Sequence, residues 1–358
     1  MGVMKGESCM FAASEEVRLL FPAESVLRVA IPASGMAFEA GKDFYHEPGS
    51  AVISRLPGSA IPCTPESELY PDDAHSILYD AEKRPDANAI RGRVGGGNLI
   101  FGRGPWFSLH QIEVDYRPVH QQFPPLLKPQ LERLPRFRRR LAAGEPLTVS
   151  FIGDSITQGW NATGFMRTPP FRSPYAEQVA SALEQDFGCR VTLNNFAIGG
   201  TGCRQAADIR EKWINAGSDL LVVAYGMNDF HNMTAEQFIA VLDSILADCR
   251  AESPETEFVL VNSMTGNPEW EHTPMEKSRE FSDALQQYAA SAPADAALAD
   301  VRAVWTEVLW RKAFYDLTGN GVNHPNDFGH RLYAAVFRAL FHGQSSIFPG
   351  FCRADSGK

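Results

Sequence analysis

The period of hydrophobic and polar positions changes near Pro146 of the 358-residue chain. Before that residue, short apolar or alternating runs lie close together, separated by Gly, Pro, Ser and Asp. Beyond it, compact apolar runs alternate with longer stretches in which apolar residues recur at helical spacing. Short alternating runs are typical of antiparallel β structure, whereas apolar strands alternating with amphipathic helices are typical of a covered parallel sheet. The pattern therefore predicts two parts of different fold class.

The first part, residues 1–120, is predicted to be a smaller β-sandwich or jelly-roll-like domain. Its predicted strands are the runs 17–21, 26–31, 51–56, 75–79, 98–101 and 106–116. The run 106–116 alternates over most of its length, which indicates one half-buried strand. Residues 121–145 are rich in Pro and Arg. Because the whole chain is acidic, we interpret them as a solvated linker rather than as a nucleic-acid patch.

The second part, residues 146–345, is predicted to be a three-layer α/β sandwich with a parallel sheet, followed by a tail over residues 346–358. Its predicted strands are the runs 147–152, 190–198, 220–225, 258–262 and 296–301. Its predicted helices are the stretches 175–187, 205–216, 234–252, 275–292 and 326–341. Open α/β sheets bind ligands at the carboxyl ends of their strands, so we expect the chemistry at the residues that follow each strand.

A serine follows the first of these strands directly. The sequence Gly153-Asp154-Ser155 ends the apolar run, and the polar residues up to Gly159 do not continue its pattern. A serine at this edge has its hydroxyl near the ligand, and a helix that begins there points backbone N–H groups at a substrate. The plain alternative is a turn followed by a helix cap, since Asp and Ser are favoured in both.

Further chemical groups follow the later strands. Gly199 and Gly200 permit close approach of the backbone to a ligand. Asn228 carries a neutral amide donor, and His324 carries an imidazole. Each residue alone has an ordinary explanation, such as a loop turn, a helix cap or a surface histidine. Together with the serine they supply the nucleophile, the base and the oxyanion donors that acyl transfer needs.

These pieces resemble the sequence blocks of the SGNH (GDSL-like) hydrolase family. The similar segments are 153–155 for the nucleophile block, 195–200 for the glycine block, 226–229 for the GxND block and 324–326 for the histidine block. The resemblance covers roughly residues 146–341 and implies a flavodoxin-like fold. It implies Ser155 as nucleophile and His324 as general base. The implied oxyanion hole consists of the Ser155 N–H, the Gly200 N–H and the Asn228 amide.

Two positions depart from the family pattern. Ala197 stands where glycine is common, which we expect to be harmless. Gly321 stands three residues before the histidine, where the family usually has an aspartate. Without that acid, either a backbone carbonyl or another side chain must orient the imidazole, and we favour a Ser–His dyad. The candidate side chains are Asn320, Asp316 and Asp300, with Asp154 in a supporting hydrogen-bonding role.

A β domain followed by an SGNH domain is similar to carbohydrate esterase family two and related sugar O-acetylesterases. This resemblance, which rests on architecture, implies removal of O-acetyl groups from a saccharide without a cofactor. Trp160 and Trp305 are candidates for stacking on a sugar ring, although tryptophan more commonly packs in a core or at an interface. The alternatives are a thioesterase or lysophospholipase, which needs an apolar acyl tunnel, and a carbohydrate-binding protein without turnover.

Composition and charge restrict the partners. A formal net charge of −10 argues against nucleic acid or an anionic membrane surface. No apolar run is long enough to span a bilayer, and the first residues lack a secretory signal. The six cysteines form no CxxC pair and no zinc spacing, so we expect reduced thiols, no metal site and a cytoplasmic protein. The expected partner is a small-molecule or oligosaccharide ester substrate. Whether the protein forms a homo-oligomer is left open by the sequence. Two Asn-x-Thr sequences, at Asn161 and Asn232, are interpreted as chance.

Overall fold

The computed structural model of the chain describes residues 2–79, 84–102, 104–345 and 347, and the backbone of 352–353. Its strands are β1 (Val3–Cys9), β2 (Phe11–Ala12), β3 (Glu16–Arg18), β4 (Ala23–Ile31), β5 (Met36–Phe38), β6 (Phe44–His46), β7 (Val52–Arg55), β8 (Cys63–Thr64), β9 (Ala89–Arg91), β10 (Asn98–Ile100), β11 (Ile112–Pro118), β12 (Leu147–Gly153), β13 (Val191–Asn195), β14 (Leu220–Ala224), β15 (Glu257–Asn262), β16 (Ala296–Asp300) and β17 (Cys352–Arg353). Its α-helices are α1 (Glu66–Leu69), α2 (Trp106–His110), α3 (Pro135–Ala143), α4 (Ser155–Gln158), α5 (Tyr175–Phe187), α6 (Arg210–Ile214), α7 (Ala235–Glu252), α8 (Met275–Ser291), α9 (Val301–Leu309) and α10 (Asp327–Phe341). Short 3-10 helices cover Leu131–Arg133, Cys203–Ile209 and Phe314–Asp316.

The second part of the chain contains a parallel sheet with the strand order β13-β12-β14-β15-β16. All neighbouring strands in it are parallel. Every residue of β14 is buried, because helices cover both faces of the sheet. This order is that of flavodoxin-like sheets, in which β12, the first strand, lies between the second and the third. The predicted α/β sandwich is confirmed.

The helices of the second part agree with the prediction except at a few ends. α5 has the predicted bounds, whereas α7 and α10 begin one residue later because Thr234 and Asn326 are their N-caps. The stretch 205–216 forms a 3-10 helix followed by the short α6. α9 has no predicted counterpart, because it begins directly after β16 with Asp300 as its cap and no turn residues between them. Among the described residues, no helix has both the length and the apolar character needed to cross a bilayer.

The first part forms β sheets, as predicted, from partly different elements. Its larger sheet has the order β17-β1-β11-β4-β5 and a smaller one the order β3-β7-β6. β1 has no predicted counterpart, because Glu7 and Ser8 are polar and buried and remove the alternation. The predicted single strand 106–116 is wrong: α2 forms first, with Phe107 buried, and β11 follows. The run 75–79 forms one isolated bridge at Leu78 instead of a strand.

The two parts share one hydrophobic core. Met4 of β1 and Leu332 of α10 belong to the same buried cluster. A charged pair is buried between the parts as well, with Lys312 Nζ 2.8 Å from Glu7 Oε1. The N-terminal strands are therefore packed against the segment that leads to His324. The proposed domain limits, at residues 120 and 146, stay a prediction.

Candidate active site

The carboxyl end of β12 places Ser155 at the edge of the parallel sheet. β12 ends at Gly153, and α4 begins at Ser155 with Asp154 as its N-cap. The Asp154 carboxylate accepts the Ile156 N–H at 2.9 Å and so supports the start of the helix. Burial raises the pKa of Asp154 to about 7. Since Ser155 is the first residue of the helix, its own N–H has no acceptor within the helix. The serine lies where the order of strands reverses, the usual ligand position in such sheets.

His324 reaches Ser155 from the loop that precedes α10. Its Nε2 lies 2.8 Å from Ser155 Oγ. Burial, together with a smaller effect of His330, lowers the pKa of His324 to about 3, so the imidazole is neutral at pH 7. A neutral imidazole nitrogen that faces a hydroxyl can accept its proton. The structure thus brings the predicted nucleophile and the predicted base into contact.

The other ring nitrogen of His324 faces an amide. His324 Nδ1 lies 2.8 Å from Asn161 Oδ1, and Asn161 Nδ2 donates to the Gly319 carbonyl at 2.7 Å. Asn161 has a φ of +65°, a left-handed conformation that Asn adopts more readily than most residues. Sequence reasoning noted this position only as an Asn-x-Thr match. The contact joins residues 163 positions apart, and the sequence holds no local signal that would have predicted it.

The glycine loop after β13 lies beside Ser155. Gly199 N–H donates to Gln158 Oε1 at 2.8 Å, and Trp160 Nε1 donates to the same oxygen at 2.9 Å. A Cβ at position 199 would lie 2.9 Å from Gln158 Oε1 and 3.6 Å from Ser155 Cβ, so a side chain there would displace the Gln158 amide from its present contacts. Gln158 therefore fixes the loop that carries Gly200, a second contact that sequence reasoning missed.

Asn228 and Gly200 both line a cleft next to this loop. The cleft has a volume of about 630 Å³. One amide hydrogen of Asn228 is donated to the Thr201 carbonyl at 2.9 Å, which leaves the second hydrogen for a ligand. Part of the cleft wall is aromatic. The rings of Trp270 and His272 are stacked with centroids 4.9 Å apart, and His231 meets His272 edge to face at 4.7 Å.

Asn320 shapes the turn that leads to the base. Its Oδ1 accepts the backbone N–H groups of Val322, Asn323 and His324 at 3.1, 3.0 and 3.0 Å. It does not contact the imidazole nitrogen, whose partner is the Asn161 amide. Asn320 thus holds the backbone of the histidine and not its ring.

Asp316 and Asp300 are wrong as orienting residues, because other groups occupy their carboxylates. Asp316 accepts the Met10 N–H at 2.7 Å and lies 3.5 Å from Lys312 Nζ. Asp300 caps α9 and accepts the Asn262 amide at 2.8 Å.

The two predicted tryptophans differ in their surroundings. Trp305 is 0% exposed and packs inside the core, so its prediction as a substrate contact is wrong. Trp160 is half-buried, with its ring centroid 6.2 Å from that of His324. It stays a candidate because it lies beside the base.

A hydroxyl in contact with a neutral imidazole at the carboxyl edge of a doubly wound sheet is the arrangement of a serine hydrolase. The model of the GDSL-like lipase/acylhydrolase family matches residues 151–332, half of the chain. The chain belongs to this family, and it is a carboxylic ester hydrolase. No curated protein sequence matches it.

Several solved structures are similar to the chain. The acetylxylan esterase Axe2 from Geobacillus stearothermophilus is 20% identical, with a TM-score of 0.44 over 58% of this chain and 97% of that one. A two-domain esterase (CEX) active on acetylated mannans is 22% identical, with a TM-score of 0.45 over 59% of this chain and 53% of that one. LAE5, an alpha/beta hydrolase enzyme from the metagenome of Lake Arreo, Spain, is 20% identical, with a TM-score of 0.45 over 55% and 95%. At these identities and TM-scores, the similarity does not indicate which substrate this chain acts on.

Proposed function

We propose that the protein is a serine esterase that removes small acyl groups, with acetyl preferred, from a carbohydrate. The observation that carries the proposal is the 2.8 Å contact between Ser155 Oγ and His324 Nε2. Ser155 Oγ attacks the ester carbonyl carbon while His324 takes its proton. The alcohol leaves with that proton, and a water molecule then releases the acyl group from Ser155, with His324 again as base.

The oxyanion is proposed to be held by the Ser155 N–H, the Gly200 N–H and the free amide hydrogen of Asn228. Neutral donors that are fixed before the reaction stabilise a developing negative charge without reorganisation. The hydrogen bond from Asn228 to Thr201 fixes the amide, and the bond from Gly199 to Gln158 fixes the glycine loop. The loss of one such donor typically costs about 10²–10³-fold in kcat.

The cleft beside Gly200 and Asn228 is proposed to hold a carbohydrate as the alcohol part of the ester. Its lining includes Asn323, the residue before His324, but neither Ser155 nor His324. Its volume lies within the range of small-molecule sites, roughly 300–1,000 Å³. The exposed rings of His231 and His272 lie in the wall, whereas Trp270 is buried and stacked against His272. The polar lining side chains outnumber the apolar ones. The polar members are Arg204, Gln205, Asn228, Asp229, His231, Asn232, His272 and Asn323, against Met227, Met233 and Trp270. A cleft of mixed polar and apolar lining is not the apolar tunnel that the thioesterase or lysophospholipase alternative needs.

The proposal is tested with an ester series from acetyl to long acyl chains, followed by acetate release from acetylated mono- and oligosaccharides. We expect acetyl esters to have the highest kcat/KM and a serine-directed phosphonate to label Ser155. Faster cleavage of long-chain esters or thioesters would favour the acyl-hydrolase alternative. A folded protein that hydrolyses none of these esters and does not react with the phosphonate would be the carbohydrate-binding protein without turnover.

The acid limit of activity is expected well below pH 6.5. Burial lowers the pKa of His324 to about 3, so the neutral, proton-accepting form persists as the pH falls through the ordinary histidine value. We expect kcat/KM at a pH of about 5 to keep at least about half of its value at pH 7. The pH profile is measured on an acetyl ester, with tryptophan fluorescence at each pH to show that the protein stays folded. An acid limb with its midpoint at pH 6.5 that persists in Asp154→Asn would contradict the low pKa of His324, because the Asp154 carboxylate, with its pKa raised by burial to about 7, titrates in the same range in the wild type.

A further inference from the structure

We propose that Asn161 is the positioning residue of His324. Its uncharged side-chain amide orients the imidazole ring and determines which ring nitrogen carries the hydrogen. This proposal rests on the proposed function, since it takes His324 as the base. The group that orients the imidazole is then an amide on the loop after α4 and not an acid near the histidine. The amide lies in contact with the imidazole nitrogen opposite the one that faces Ser155.

The hydrogen bonds of Asn161 determine which way its amide points. Nδ2 donates to the Gly319 carbonyl at 2.7 Å, so the reversed amide would place its oxygen against another acceptor. Oδ1 therefore faces His324 Nδ1 at 2.8 Å and can only accept a hydrogen. The hydrogen must be on Nδ1, which leaves Nε2 as the acceptor for the Ser155 hydroxyl. This is the tautomer that a general base needs.

An acid cannot take this task from position 321, because the N-terminal part of the chain fills the space. Gly321 has a φ of +91°, and a Cβ there would lie 2.4 Å from the Ile100 carbonyl oxygen and 3.2 Å from Phe107 Cζ. The Gly102 N–H also donates to the Asn320 carbonyl at 3.1 Å and holds this segment against the turn. Any side chain at position 321 would force the two parts apart.

The loop that carries Asn161 is fixed to the histidine segment independently of the Asn161 side chain. The Thr163 N–H and hydroxyl donate to the two oxygens of Asp327, each at 2.8 Å. Asp327 is the first residue of α10, three positions after His324. A variant that loses only the Asn161 amide is therefore expected to keep the loop in place.

A neutral partner has a different electrostatic effect from a carboxylate. An amide oxygen holds the Nδ1 hydrogen but adds no negative charge, so burial keeps the pKa of His324 low. A carboxylate in the same place would attract the protonated ring and raise its pKa. The pH at which activity is lost therefore distinguishes the two kinds of partner.

The test compares Asn161→Ala and Asn161→Asp with wild type on an acetyl ester. Asn215→Ala, at an exposed asparagine with a φ of −86°, controls for the loss of an asparagine side chain, and urea unfolding measures the backbone strain that Ala adds at the left-handed φ of Asn161. We expect Asn161→Ala to lower kcat by about 10²–10³-fold with KM within about 3-fold, because the ring loses its tautomer and orientation. Asn161→Asp keeps an acceptor for the Nδ1 hydrogen but loses the donor to the Gly319 carbonyl and places a carboxylate oxygen against it, so it should fall below wild type. Because the acceptor is kept, it should still retain at least about tenfold more activity than Asn161→Ala. It should also move the acid limb of kcat/KM upward by about one pH unit or more. Asn215→Ala should match wild type.

Two outcomes would overturn the proposal. The first is an Asn161→Ala variant with the wild-type kcat. The second is an equal loss in Asn161→Ala and Asn161→Asp with an unmoved acid limb, which would make Asn161 only a structural link to Gly319. Urea unfolding of each variant shows whether a loss of rate comes from misfolding. Ser155→Ala separates the two proposals: if it keeps its rate the proposed function fails, and if it is inactive while Asn161→Ala is fully active only the positioning role fails.

Discussion

Ser155→Ala is expected to lower kcat on acetyl esters by at least about 10⁴-fold. The variant loses the only atom that forms the acyl-enzyme, while the N–H donors and the cleft remain. His324→Ala should have an effect of similar size, because the hydroxyl at 2.8 Å then has no acceptor for its proton. The double variant should be no worse than either single one, since the two residues act as a unit. Steady-state kinetics with each ester measures these rates.

The control is Ser173→Ala, an exposed serine on the loop that follows the site. It should have wild-type kcat, KM and unfolding midpoint. A Ser155→Ala variant that retains a tenth or more of the rate would show that another group is the nucleophile. Losses that simply multiply in the double variant would show that Ser155 and His324 contribute independently, which is inconsistent with a hydrogen-bonded pair.

The catalytic contact could be predicted from the sequence because each of its members follows a strong local signal. β14 is a continuous apolar run and β12 is apolar apart from Thr148 and Ser150, so both are typical of buried parallel strands, and the residues after them are expected at one edge of the sheet. α10 is capped by Asn326, the last residue of the histidine block. These signals fix Ser155, Asn228 and His324 without any knowledge of contacts.

The partner of the histidine ring could not be predicted, because nothing local marks it. Asn161 occupies a left-handed position in a loop without regular structure, and its contact with His324 depends on how two distant loops pack. The sequence favours a dyad and offers Asn320, Asp316 and Asp300 as side chains that could orient the ring, but in the fold all three bind other groups. The reason that Gly321 has no side chain also lies in the N-terminal part, at Ile100.

The N-terminal part was harder to predict because buried polar groups break its pattern. Glu7 lies in the middle of β1 and is 0% exposed, so the strand does not alternate. Its burial is compensated by the opposite charge of Lys312. That residue lies 305 positions away along the chain. A single sequence gives the charges of these residues but not their pairing.

Lys312→Met is expected to lower the free energy of unfolding by about 3–5 kcal/mol. Lys312 Nζ lies 2.8 Å from Glu7 Oε1, 2.8 Å from the Arg18 carbonyl and 3.2 Å from Cys9 Sγ, and its side chain is 0% exposed. Burial lowers the lysine pKa, but the nearby Asp316, Cys9 and Glu7 outweigh that effect and raise it, so the ammonium stays charged at neutral pH. Its removal leaves the buried carboxylates of Glu7 and Asp316 without their counter-charge.

The matched control is Lys277→Met, because Lys277 Nζ lies at the same distance, 2.8 Å, from Glu280 but in an exposed pair. Its loss should cost less than about 1 kcal/mol. Urea unfolding followed by tryptophan fluorescence measures both variants, and equal small losses would contradict the role of the buried pair. In the double variant Glu7→Gln with Lys312→Met the loss should be smaller than the sum of the single losses. Once the lysine is absent, part of the cost is the unpaired Glu7 carboxylate, which Glu7→Gln removes, while the Asp316 carboxylate remains.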